Sequence, residues 1–235
     1  NVCQNFSVKG MHRDGSYAEF TVGDPENLHV VPDQVSLHEA AITEPLSVAA
    51  RTVLTQSTLN PGDTVLVEGP GPIGVLVAAL ASSIGGEVLV SGVDQDRAYR
   101  LPLVETLGLE TVNIAERPLE QVAESFTDGL GFDVVFDSTG HHTGIETAAE
   151  QVRKGGEIVV VGLPGSSAEI PLSSLVRGEV SINTSYGSSW RNFEQALYLL
   201  EQGAIDSASL IDTSFSPSSP AVAFEAFLES ETCKP

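Results

Sequence analysis

Residues 69–74 read Gly-Pro-Gly-Pro-Ile-Gly, which sets Gly69, Gly71 and Gly74 at the spacing GxGxxG. The first glycine permits a tight turn, the second lets main chain approach a pyrophosphate, and the third lets a helix pack closely on a sheet. Pro72 and Ile73 then fall in the first turn of a helix, where proline sacrifices no hydrogen bond. Unpaired N–H groups and a positive dipole end at that helix start favour phosphate. The spacing alone is common, and a turn that merely packs well can carry it. Its weight comes from TVLVEG, an apolar strand before it, and PIGVLVAALASSI, an apolar helix after it.

The next strand, EVLVSG, ends on Gly92, where a NAD site wants an acidic side chain for the ribose hydroxyls. Asp94 follows two residues later and is either that ligand or a cap for the next helix. Arg97 and Arg100 come after it and could instead meet a ribose phosphate. The cofactor is therefore NAD or NADP, with the glycine tip and the arginines tilting the choice to NADP. A second short string, TEPLSVAARTV at 43–53, joins Glu44 to Pro45 just upstream. On its own, such a pair reads as a helix boundary.

The elements that must position these groups form a regular series. TVNI, LEQVAESFTDG, FDVVFDS, TGIETAAEQVRKGG, EIVVVG and VSINTSY continue the alternation of strand and helix. Strands apolar on both faces, separated by helices, imply a parallel sheet covered on both sides. The fold class expected is α/β, a Rossmann-type doubly wound sheet. Before it, YAEFTV and LHVV, broken by turn residues, read as short antiparallel strands. After Tyr186 come an amphipathic helix, FEQALYLLEQG, a Ser/Pro-rich link and a last helix, SPAVAFEAFLES. The ALYLL stripe and Trp190 read as core or as a contact between subunits, and His141-His142 as a solvent-facing pair that starts a helix. His12, His29 and His38 show no ligand spacing, and no serine has a His-Asp arrangement behind it.

Charge narrows the partners. Asp and Glu number 32 against 11 Lys and Arg, a formal charge of −21 in 235 residues. Such a field repels nucleic acid and anionic membranes, so neither is expected as a partner. An acidic surface with few lysines over an ordinary aliphatic core suits work in high salt, where counterions screen self-repulsion. No apolar run reaches the length of a membrane span. Cys3 and Cys233 are too few for a disulfide framework, which fits a reducing, cytoplasmic setting.

DGSYAEF, TEPLSVA, GPGPIG, VVVGLPG and SINTSYG occur in an order that resembles the zinc-dependent medium-chain dehydrogenases, in particular their sorbitol, threonine and sugar-acid branch. The resemblance runs over the whole chain. It implies that 1–45 is the last part of a β-rich, GroES-like catalytic domain, 46–186 the dinucleotide domain and 187–235 a return segment. It also implies an enzyme that uses NAD or NADP and Zn2+ to move a hydride from a secondary alcohol, such as a polyol, sugar or hydroxy-amino acid. A dimer or tetramer is expected. By the same resemblance Glu44 ligates the catalytic zinc or holds its water, and Cys3 is one of four structural-zinc cysteines. Gly162, Leu163, Tyr186, Gly187 and Ser188 would flank the nicotinamide, and Arg100 the adenosine ribose. The family's remaining zinc ligands have no counterpart here, so the chain is expected to be part of a longer enzyme. The alternatives are a zinc-independent quinone or enoyl reductase of the same superfamily and a dinucleotide-binding module without catalysis.

Overall fold

The computed structural model describes residues 3–211, 213–229 and 232. The amino-terminal stretch has a 3-10 turn at Pro25–Asn27 and then α1 (Leu37–Ala40), capped by Ser36 and Glu39 in a reciprocal box. Next comes α2 (Thr43–Leu54), with Pro45 in its first turn. The alternation then follows in chain order as β1 (Thr64–Glu68), α3 (Pro72–Ser83), β2 (Glu87–Gly92), α4 (Arg100–Thr106), β3 (Glu110–Asn113) and α5 (Leu119–Phe126). It continues with β4 (Phe132–Asp137), α6 (His142–Gln151), β5 (Val152–Val160), α7 (Leu172–Arg177) and β6 (Ser181–Thr184). The segment beyond holds α8 (Trp190–Glu201), α9 (Ser207–Leu210) and α10 (Pro220–Leu228).

All six strands are parallel, in the order β3-β2-β1-β4-β5-β6. That order reverses between β1 and β4, the switch point at which doubly wound sheets bind ligands. Alternation along each strand feeds two cores. Val65 and Val67 of β1 and Val134 and Phe136 of β4 pack beneath α2, α3, α4 and α8. Leu66, Leu89, Val135 and Ile158 face the other way, onto Leu119, Val122, Ala148 and Leu175 of α5, α6 and α7. Each fully buried side chain of this size contributes about 1.5–3 kcal/mol, so the strand ends are held by a stiff body.

The antiparallel strands expected in YAEFTV and LHVV are not formed; the stretch is extended coil. Phe20 and Val22 are each 89% exposed. Alternating sequence becomes a strand only where a neighbouring backbone takes up its hydrogen bonds, and none does so among the described residues. The helix α7 had no sequence signal, because six residues are too short for a readable period. Trp190 is not core: it is half-exposed, lies 3.7 Å from the His29 ring and donates through Nε1 to Glu194 at 3.1 Å. The ALYLL stripe does reach the core through Ala196, Leu197 and Leu200. His141 caps α6, which begins at His142.

Candidate dinucleotide site

The glycine turn lies at the carboxyl end of β1, beside the switch point. Gly69 has φ +90°, open to glycine and costly for other residues. Gly71 is the N-cap of α3, with Pro72 as the first helical residue and Ile73 behind it. A β carbon on Gly74 would land on the Gly69 carbonyl and come within 2.5 Å of Ser138 Oγ. One on Gly71 would meet nothing within 4 Å. The first and third glycines are thus fixed by protein atoms, while the second faces open space in front of a helix start. That space suits a pyrophosphate, since the first N–H groups of a helix have no partner within it.

The loop after β4 completes the rim. Ser138 Oγ lies 2.6 Å from Glu68 O and 2.9 Å from Gly69 O, which pins the turn to the neighbouring strand. Thr139 donates to Asp137 Oδ1 from its N–H at 3.0 Å and its hydroxyl at 2.7 Å. Asp137 faces Glu68 across the β1–β4 ladder, and both are buried. Burial pushes the Glu68 carboxyl well above its ordinary range, and the Asp137 charge adds to the rise. Glu68 Oε2 has no hydrogen-bond partner.

At the tip of β2, a β carbon on Gly92 would come within 2.9 Å of Leu101 Cδ2 and 3.2 Å of Asp96 Oδ2, so an acidic residue there would require Leu101 to shift and would crowd Asp96. Asp96 is buried and committed, accepting from Val93 N at 3.0 Å and from Arg100 Nη1 at 3.3 Å. Asp94 is exposed and accepts from Asn113 Nδ2 at 2.8 Å. Arg97 is exposed and pairs with Glu116 at 2.8 Å. Arg100 is turned inward to Asp96 and lies against the Phe227 ring, 5.8 Å from its centroid.

On the other side of the switch point, Gly162 packs on Gly140 so closely that no β carbon fits, and its N–H donates to Asp137 O at 2.9 Å. Leu163 and Tyr186 stand at the rim, exposed. Gly187 continues the turn to Ser188, whose Oγ accepts from Ser47 Oγ at 2.8 Å. Ser47 lies one turn after Glu44 on α2 and is within 2.6 Å of the Glu44 carbonyl. The fold thus brings the TEPLSVA string to the SYGSS loop. Glu44 itself is exposed, and Cys3 is an exposed free thiol. Zinc takes four ligands, or three and a water. Among the described residues no three His, Cys, Asp or Glu side chains converge as a metal site, so Glu44 and Cys3 do not by themselves fit a zinc centre.

Four side chains of this rim carried weak signals or none. Ser138 and Thr139 stand in a turn string, DSTG, just after an apolar strand, and Glu68 is a charge closing an apolar run. Ser47 looks like any small helical residue.

The order of the sheet and the cradle at Gly71 define a dinucleotide-binding domain. The zinc-binding dehydrogenase family matches residues 72–202, and the chain belongs to that family. It is 30% identical over its whole length to a sorbitol dehydrogenase of Halalkalibacterium halodurans, covering 68% of it. It is 29% identical, again over its whole length, to a D-arabitol-phosphate dehydrogenase of Enterococcus avium, covering 67%. The chain therefore spans about two thirds of the length of these relatives. Among solved structures, an alcohol dehydrogenase of Escherichia coli complexed with NADH superposes with a TM-score of 0.87 at 26% identity. That match covers 97% of this chain and 66% of the other. No helix among the described residues is long and apolar enough to cross a membrane.

Proposed function

We propose that this chain supplies the cofactor-binding part of an NAD(P)-dependent dehydrogenase that moves a hydride between a secondary alcohol and nicotinamide. The alcohol would be a polyol, a sugar or a hydroxy-amino acid, by analogy with the dehydrogenases to which the chain is similar. The observation that carries this reading is the open space at Gly71 between a fixed turn and a helix start. Gly69, Gly71, Pro72, Ile73 and Gly74 would hold the pyrophosphate. Gly162, Leu163, Tyr186, Gly187 and Ser188 would line the nicotinamide side. The bound nicotinamide supplies the hydride acceptor; the chain binds it, orients it and screens it from water.

The glycine tip of β2 and the commitment of Asp96 to Arg100 favour NADP, with Arg97 free to leave Glu116 for a phosphate. Glu44 would face the substrate end, held there through Ser47 and Ser188. The acidic surface supports salt adaptation, and the scarcity of cysteine a reducing, cytoplasmic setting. A homo-oligomer completes the reading. Calorimetric titration of the full chain with NADH and NADPH tests it: both are expected to bind, NADPH more tightly. Absence of binding by either would sink the assignment, and a clear preference for NADH would give Asp94 the ribose role.

A further inference from the structure

At the end of the sheet opposite the glycine turn, a cavity of about 330 Å³ opens between α6, α7 and the first residues of β5. Its size is at the lower end for small-molecule sites. Arg153, Lys154 and Arg177 all line it, three of only 11 basic residues in a chain of formal charge −21. Ser174 adds a hydroxyl, and Leu175 and Val180 give it an apolar floor.

The charges are not consumed by the protein. Arg153 gives Nε to Asp133 and Nη1 to the Lys154 carbonyl at 2.8 Å, which leaves Nη2 for a ligand. Lys154 and Arg177 are exposed and have no ion-pair partner among the described residues, although the chain carries 32 carboxylates. A plainer role would be to neutralise the ends of α6 and α7, which finish here. Each helix end carries only about half a negative charge. Asp133 cancels one positive charge and the two helix ends together about one more, so about one positive charge is left over.

We propose that this cavity is a binding site for a small organic anion, a phosphate head on a short apolar body, separate from the dinucleotide cradle. A guanidinium edge, an ammonium and a hydroxyl suit the oxygens of a phosphate monoester, and Leu175 and Val180 suit a ring or short chain behind it. The rest of the molecule repels anions, so a ligand is held by these contacts at short range and not by the long-range field.

Phenyl phosphate is the probe, titrated calorimetrically into the full chain with and without saturating NADH. Binding is expected to be the same in both arms, stronger than that of inorganic phosphate, and absent for phenol. Lys154→Gln and Arg177→Gln should each weaken it by about tenfold, the worth of one charge-assisted contact, and leave NADH affinity unchanged. Unaltered NADH affinity also certifies that both variants are folded. Competition between phenyl phosphate and NADH, or affinity unchanged in both variants, would overturn the site. Inorganic phosphate binding as tightly as phenyl phosphate would remove the apolar body from the claim.

Discussion

Two regions of this chain are written in the same alphabet and end differently. EVLVSG and YAEFTV both alternate or cluster β-branched and aromatic residues between turn signals. The first is β2, flanked by β1 and β3 and roofed by helices on both faces. The second is coil, with Tyr17, Phe20 and Val22 open to solvent. Local propensity is similar, so the difference lies in partners. A parallel strand between two others has every backbone group answered and both faces covered, whereas a lone segment has neither.

The contrast can be broken or sharpened by experiment. The largest expected effect is on the cradle itself. Gly71→Val should abolish measurable dinucleotide binding while the melting temperature stays near that of the parent, because a β carbon there enters open space with no protein atom within 4 Å. Affinity left intact, measured by calorimetry, would take the glycine turn out of the site.

A core cut comes next. Phe136 is fully buried in β4, so Phe136→Ala should cost about 3–5 kcal/mol in urea unfolding. The same truncation at Phe20 should cost less than about 0.5 kcal/mol, the range of exposed positions. Equal losses at the two sites would mean that the open stretch is packed in solution.

Salt should act on the whole molecule. Screening contracts from ~30 Å at 0.01 M to ~3 Å at 1 M, so the melting temperature should climb with potassium chloride toward the molar range. An equally concentrated neutral osmolyte separates screening from strengthened apolar burial. Amide exchange should slow in β1 and β4 but not in residues 16–31. A melting point indifferent to salt would remove the case for salt adaptation.

The smallest effect concerns one carboxyl. Glu68 holds its proton more tightly folded than unfolded, so its contribution is fully present below the unfolded value near 4.5 and is lost as pH rises through the folded value. Glu68→Gln removes that loss. It should therefore raise stability near pH 8, by more than about 1.4 kcal/mol since each unit of raised pKa is worth that much, and change little near pH 4. Melting curves of both proteins across that range decide; a gain independent of pH would refute the buried-proton account.

The sheet was legible because each of its strands carries its own signal: TVLVE, EVLVSG and FDVVFD are apolar runs with glycine or asparagine stops. The glycine turn was legible for the same reason, as its meaning lies in six consecutive residues. What stayed hidden depends on residues far apart in the chain. Ser47 meets Ser188 and Thr52 meets Ser185 across more than 130 positions, and although the resemblance singles out Ser188, nothing local marks either pairing. Arg100 was read toward a ribose; the structure adds a contact that reading did not include, with Asp96 four residues earlier at 3.3 Å. The fate of YAEFTV was unreadable, since alternation states which face a strand would bury but not whether a neighbour stands beside it.

The hydroxyl pairs between α2 and the segment after β6 also set a frame of reference. Leu46, Ala49, Ala50 and Val53 bury the same helix against the sheet, so α2 is tied both to the core and to the segment after β6. The main chain of Glu44, in the first turn of that helix, thus belongs to the same packed body as the glycine turn. On the proposed function, a substrate drawn to that exposed carboxylate would meet main chain anchored in the same core that carries the glycine turn.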